Sequence, residues 1–375
     1  MPVTEQDRSD FTEAIKQKDS SKIREFTQRD DAKELLLMKD DDGSILHTAC
    51  SSNLDKKSLQ VILDAAMKHE IVKDMFELKD GDRNTCLHYT CNNNLSTDSL
   101  QVLLEYSLNH ADIKTLLEAE NEVGWTCFHN ACSSKEFSTA SLRLLLLEYM
   151  SKHADIKKIL QAKVCDEMNT DATCLHIAYR HSLLTESLQV ILESLLKHAD
   201  LKVVLEQQMS NGCNCLHAAC NNTVSIDSFR LLLDFCVKHG DVKKVLEQKG
   251  QEDCTCVHAA ASNCLNSTSM RLLLETVSKH GDINKMLQDK AALNDGRTPL
   301  HLICRFGSSS DSLKTLVAFF PSNDEFQKAL SMEDSRGMTA IDLAQDEKMK
   351  EMLQDPECWA KSRRVLEQSS GCICQ

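Results

Sequence analysis

A seven-residue phrase recurs along this chain at nearly constant spacing, and that spacing limits the possible folds more than any other feature. The copies are SILHTAC (44–50), TCLHYTC (85–91), TCFHNAC (126–132), TCLHIAY (173–179), NCLHAAC (214–220), TCVHAAA (255–261) and TPLHLIC (298–304). Their histidines, His47, His88, His129, His176, His217, His258 and His301, are separated by 41, 41, 47, 41, 41 and 43 residues. An eighth, degenerate copy, MTAIDLA (338–344), carries Asp342 in the histidine position. Self-similarity at such a period marks an array of supersecondary units, none of which can bury its apolar face alone. A second histidine series, His69, His110, His153, His198, His239 and His280, runs in step and leaves only His181 outside both sets. Histidines repeated so regularly belong to the architecture, whereas a catalytic histidine is normally singular.

Within a unit, a turn precedes the phrase, which opens a short helix of small residues. A stretch such as NNNLSTD follows, rich in residues that favour turns and helix N-caps. Next comes a longer helix: Leu100, Leu103, Leu104 and Leu108 fall at i, i+3, i+4 and i+8, one apolar stripe at helical period. Beyond the KHAD element, Asp112 stands at an N-cap position, with Ile113, Leu116 and Leu117 behind it. The same offsets link Asp155 to Ile156, Ile159 and Leu160, and Asp241 to Val242, Val245 and Leu246. This pattern predicts a third helix of about two turns, or a continuation of the second after a bend.

Composition narrows the function classes. The 375 residues are 42% hydrophobic, ample for a buried core, but hold only 11 glycines, 4 prolines and 5% aromatics, which favours helices packed on aliphatic side chains. The formal charge of −14 disfavours a generic nucleic acid binder. No signal peptide is evident in MPVTEQDRSD, and no apolar run approaches the roughly 20 residues of a membrane span. The 18 cysteines are therefore expected to be reduced thiols in a cytoplasmic setting, many of them small buried hydrophobes.

The phrase DGRTPLHLIC (295–304) resembles the ankyrin repeat almost letter for letter, and the likeness extends over residues 36–350. There are two departures. Cysteine replaces proline at Cys86, Cys127, Cys174, Cys215 and Cys256, and the unit is 41 residues against about 33 in that family. The resemblance implies an all-α, ankyrin-type solenoid of stacked helix-turn-helix units with hairpin-like turns, and a phrase histidine that hydrogen-bonds turn backbone. The domain reading is N-terminal capping helices over 1–35, seven clear repeats and one degenerate over 36–350, and a C-terminal tail over 351–375.

Cys86, His88 and Cys91 form a C-x-H-x-x-C pattern that recurs at Cys127, His129 and Cys132 and at Cys215, His217 and Cys220. On a helix these positions point to about 0°, 200° and 140°, so they do not converge on one tetrahedral ion. Cys213/Cys215 and Cys254/Cys256 form C-x-C pairs that read as thiols in and beside turns. No phosphate-binding loop, dinucleotide fingerprint or nucleophile elbow occurs. The expectation is a binding protein with no catalytic residues, no metal and no cofactor. A metal-thiolate or enzymatic protein is the contrasting reading, separable by zinc content after dialysis.

In ankyrin-like proteins partners lie along a concave face of turn tips and first helices. Positions that vary between repeats are the guide to such a surface. Two residues before the cysteine-or-proline site stand Ser44, Asn84, Trp125, Ala172, Cys213, Cys254 and Arg297; directly after the histidine stand Thr48, Tyr89, Asn130, Ile177, Ala218, Ala259 and Leu302. Aromatic anchors on a rigid surface suit recognition, and the expected partner-binding set is Arg83, Asn84, Tyr89, Trp125, Asn130, Arg180 and Arg297. The longer third spacing places extra residues in the third repeat's helices and in a loop around 163–172, a candidate binding loop. The ending Cys372-Ile373-Cys374-Gln375 fits a C-a-a-X prenylation signal at Cys372, which would add peripheral membrane association. The resulting expectation is a monomeric cytoplasmic scaffold or adaptor for another protein, with a bacterial effector acting in a eukaryotic host as an alternative.

Overall fold

A computed structural model of the chain describes residues 3–93, 95–165, 170–220, 223–292, 295–307 and 309–370. It resolves into two compact units, residues 1–200 and 201–375. Both are built from the same three-helix repeat, and the fold is all-α with short two-residue strands at a few turns.

The second repeat displays the plan. Helix Cys86–Asn92 opens at Thr85, which shares a reciprocal capping box with His88. The second helix, Thr97–His110, is capped by the Ser96 side chain accepting the Ser99 N–H. The third, Ile113–Glu118, is a separate helix capped by Asp112 on the Thr115 N–H. That settles the sequence-level alternative in favour of a discrete helix. Six-residue helices are marginal by propensity, so they depend on such caps, each worth about 1 kcal/mol, and on burial. Ile113, Leu116 and Leu117 are buried. In the second helix Leu100, Leu103 and Leu104 are fully buried, but Leu108 is 39% exposed. The stripe ends one turn early, and Ser107 is buried near the helix end instead.

In the first unit, helices Glu5–Lys16, Ser20–Gln28 and Ala32–Leu37 stack one-to-one on the three helices of the first repeat. The amino-terminal segment thus has a repeat's three-helix plan without the histidine phrase. The third repeat absorbs its extra length in three places. One residue lengthens the linker before Ser138, and one widens the second helix into a π-helical stretch, Leu144–Met150, a usual outcome of a single insertion. The remainder forms a hairpin in which Val164–Cys165 pairs with Asp171–Ala172. Residues 166–169 of the expected binding loop lie outside the described set.

In the second unit the plan continues through Pro299–Arg305 and Asn323–Leu330. In the degenerate copy, Asp342 replaces the histidine in kind: its Oδ2 accepts the Thr339 N–H at 2.8 Å and the Thr339 hydroxyl at 2.6 Å. The expected tail over 351–375 is in fact largely helical. Glu347–Gln354 and Cys358–Ser370 are helices, and the latter packs on Ser310–Ala318. The Trp359 indole N–H donates to the Phe320 carbonyl at 3.0 Å, and Arg363 donates to the Ala318 carbonyl at 3.0 Å. Apolar burial of Cys358 seals this edge.

Candidate functional site

The phrase histidine ties each turn to the next. In the second repeat His88 Nδ1 accepts the Thr85 hydroxyl at 2.9 Å and the Thr85 N–H at 3.1 Å, while Nε2–H donates to the Trp125 carbonyl of the third repeat at 2.9 Å. The same tether joins His47 to Asn84, His217 to Cys254, and His301 to Met338. At His47, His88 and His301 both ring nitrogens are thereby used, Nδ1 accepting and Nε2–H donating, which is the neutral imidazole. Burial holds the His88 pKa down to about 4, against a smaller upward pull from the Trp125 carbonyl; His129 is held to about 3 by burial and by His88. The cysteines beside them are equally committed. Burial pushes Cys174, Cys215 and Cys256 up to about 12, far from the thiolate needed for metal binding or attack. Among the described residues no cluster of histidines, cysteines and carboxylates could hold a metal ion.

The third junction differs. His129 Nε2 is buried and meets no partner. In its place the Trp125 indole N–H donates to the Cys165 carbonyl of the inserted hairpin.

A second cross-repeat contact links the turns side chain to side chain. In the second, third and eighth turns the residue five before the N-cap folds back onto its own turn, and at the third and eighth the residue just before the N-cap of the preceding repeat reaches across to it. Asn121 Oδ1 accepts the backbone N–H of Val123 and Trp125, and its Nδ2 donates to Asn84 Oδ1 at 3.0 Å. Asp334 Oδ1 accepts the N–H of Arg336 and Met338, and its Oδ2 takes Arg297 Nε at 3.0 Å. Asp80 is the member of this set in the second repeat. Its Oδ1 accepts the Asn84 N–H at 2.7 Å, and its Oδ2 accepts Asn84 Nδ2 at 3.0 Å and the Tyr89 hydroxyl at 2.7 Å.

These contacts shape a cleft of about 350 Å³ lined by Asn84, His88, Tyr89, Asn92, Asn121, Trp125, Asn130 and Ser133. Trp125 is 9% exposed and walls the cleft, and Tyr89 stands half-buried with its ring edge-to-face against His47, centroids 5.6 Å apart. Asn130 Nδ2 donates to the His88 carbonyl at 3.1 Å. The cleft is polar, and a tyrosine and a tryptophan are among its lining residues.

Four of the seven residues expected to meet a partner, Asn84, Tyr89, Trp125 and Asn130, line this one cleft. Arg83 sits exposed at the turn tip with a φ of +65°. Arg180 ends the helix Cys174–Arg180 in the fourth repeat, half-buried and away from the cleft-lining set. Arg297 must be withdrawn as a surface residue. It is 4% exposed and paired with Asp334 and Asp295, because a fully buried carboxylate in the next turn recruits it. The register of the first copy is also corrected: Ser44 is the N-cap, equivalent to Thr85, so Gly43 takes the place of Asn84. His88, Asn92, Asn121 and Ser133 line the cleft without having been singled out for it. Comparing two columns of the repeat could not find them, although the column five before the N-cap would have revealed Asn121.

No family model and no curated protein sequence matches the chain. Among solved structures it is similar to the crystal structure of the ankyrin repeat domain of Bcl-3, described as a unique member of the IkappaB protein family. The two share 18% identity with a TM-score of 0.43, over 82% of this chain and 97% of that one. The repeat's own hydrogen bonding combines a Thr–His box, a histidine tether and turn-to-turn backbone bonds such as Glu122 N–H to the Asp82 carbonyl at 2.9 Å.

Proposed function

We propose that this chain is a non-enzymatic binding scaffold whose partner protein docks on the cleft between the second and third repeats. The observation that supports the reading is the convergence of Asn84, Tyr89, Trp125 and Asn130 on one concavity, which Asn92 and Ser133 also line. Tyrosine and tryptophan offer contact area at low entropic cost, and asparagine offers a donor and an acceptor on one planar amide. The architecture reserves its histidines and thiols for packing and tethering, which leaves recognition to the turn tips and first helices.

Site-specific photo-crosslinking tests this. A benzoylphenylalanine at Asn92, exposed on the cleft rim, is expected to capture a discrete partner, while one at Glu193, exposed on a second helix, is not. Equal capture at both positions, or none at Asn92, would sink the assignment of the cleft.

We further propose a cytoplasmic location with prenyl anchoring at Cys372. Cys372 lies outside the described residues, and the support is the sequence CICQ itself. One prenyl chain gives reversible attachment, which suits a recruiter that cycles between membrane and cytoplasm. Fractionation of the wild type beside Cys372→Ser decides it: equal solubility of the two would remove the anchor from the proposal.

A further inference from the structure

Three turn carboxylates invite comparison: Asp80 and Asp334, each five residues before its N-cap, and Asp40, which stands four before Ser44 in a turn one residue shorter and pairs with Gly43. Asp40 pairs with Arg8, which is 8% exposed and also donates to the Gly43 carbonyl at 2.7 Å. Asp334 pairs with Arg297, 4% exposed. In both cases the fold supplies a buried arginine to its own carboxylate. Asp80 is 7% exposed and ion-paired with no arginine or lysine among the described residues. The position that holds Arg297 in the seventh repeat is Gly43 in the first. It cannot be otherwise: Gly43 has a φ of +102°, and a Cβ there would lie 2.7 Å from His47 Cγ.

Asp80 therefore keeps an uncompensated negative charge just behind the cleft wall. Burial pushes its carboxyl up, but hydrogen bonds from Tyr89 and Asn84 outweigh that and hold it below the usual carboxylate range, so it is ionised at neutral pH. Tyr89 and Asn84, the two side chains that grip Asp80 Oδ2, are themselves lining residues of the cleft. The turn tips on either side add exposed Asp41, Asp42, Asp82 and Glu122, against exposed Lys39 and Arg83. Trp125 and Tyr89 are lining residues of the cleft, and an aromatic ring attracts a cation in a partly desolvated site.

We propose that the cleft between the second and third repeats receives an arginine side chain from an extended, basic segment of the partner protein. The guanidinium lies against Trp125 and Tyr89 and takes from outside the charge compensation that Arg8 and Arg297 give Asp40 and Asp334 from within. Arginine fits better than lysine because its flat fork both stacks on rings and donates to several amide oxygens. The inference rests on the reading of the cleft as a protein-binding surface.

The test uses the two indole N–H signals of the full-length ¹⁵N-labelled chain, from Trp125 and Trp359, assigned with Trp359→Phe. The probe is an acetylated, amidated Gly-Ser-Arg-Ser-Arg-Ser-Gly peptide, with the citrulline peptide as its neutral isostere. The arginine peptide is expected to shift the Trp125 signal and leave that of Trp359 in place, and to bind at least fivefold tighter than the citrulline peptide. Asp80→Asn is expected to weaken it at least fivefold. Asn92→Lys and Asn92→Asp alter charge on the exposed rim without touching the fold's hydrogen bonds, so they keep the test decisive if Asp80→Asn unfolds. The lysine variant should weaken binding and the aspartate variant strengthen it. Equal binding of arginine and citrulline peptides, or indifference to the Asn92 charge, overturns the proposal. If crosslinking at Asn92 captures a partner but the arginine peptide leaves Trp125 unmoved, the cationic site is wrong and the scaffold reading survives. If the peptide binds as expected but no partner is captured, the cationic site stands and the scaffold reading fails.

Discussion

Asp80 and Asp334 occupy the same place in their turns, accept backbone N–H groups in the same way, and are both buried, yet one faces an arginine and the other does not. At the eighth turn the fold has closed its own site. Arg297 reaches across, Asp295 joins it, and the side chain is lost to solvent. At the second turn the reaching position is a glycine, required by the tight hairpin that joins Lys39–Asp40 to Gly43–Ser44, and a tyrosine hydroxyl takes over part of the work. These two turns thus share one plan, and the one left without an arginine is the one proposed to receive a partner's. The same logic marks the third junction, where His129 lacks its tether and Trp125 turns to the inserted hairpin.

The largest effect should be one that the two turns share. His88, His217 and His258 are held at about 4, and His47 and His301 are also lowered, in each case by burial first. A histidine whose folded pKa lies below its unfolded value binds more protons when unfolded. Its contribution is therefore full above about pH 6.5 and is lost as the pH falls toward 4. Melting temperature is expected to drop steeply between those limits, with uptake of several protons on unfolding. A flat profile would mean the tethers are not buried and neutral.

Arg297→Ala should separate the two turns. Breaking a buried ion pair costs about 3–5 kcal/mol, and about 3 is expected here because Asp334 keeps its backbone donors. Denaturant unfolding, with hydrogen exchange at residues 334–338 to localise the loss, measures it. A cost below about 1 kcal/mol would show that the eighth turn is no more closed than the second.

Smaller again is the second-turn counterpart. Tyr89→Phe removes one donor from Asp80 while Asn84 retains its two hydrogen bonds, so the expected loss is about 1 kcal/mol. Burial and Asp80 push the Tyr89 phenol above its usual range, and ultraviolet titration should find it silent well beyond pH 10. Ordinary ionisation near 10 would remove the hydrogen bond on which the comparison rests.

The least effect is expected from the hairpin. Replacing Trp125 by Phe keeps the wall of the cleft but loses the donor to the carbonyl of half-exposed Cys165, at about 0.5 kcal/mol, the low end for one hydrogen bond. Faster exchange confined to 164–172 is the expected signature, and protection unchanged there would break the analogy between the hairpin and the histidine tether.

Much of this was legible in the linear chain. The period and the Asp caps of the third helices follow from local rules in which a few residues satisfy the backbone of their own turn, whereas the Thr–His box and the separation of the third helix from the second came from the structure. The architectural role of the histidines could be inferred from number alone, because a residue repeated in seven copies serves the unit. Lengths were legible too: the third spacing carries more residues than its neighbours, and the structure divides them among a linker, a π-helical turn and a hairpin. What only the tertiary structure decided is which side chains from successive repeats meet. Arg297 and Asn84 hold the same place in their repeats and looked equally available for binding. One is buried and the other lines a cleft, because the outcome depends on a residue 37 positions onward, Asp334 in one case and Asn121 in the other. Caps and periods are set by neighbours along the chain, whereas burial of charge is settled between turns distant in sequence, where a carboxylate and an arginine are drawn out of water only once each has found the other.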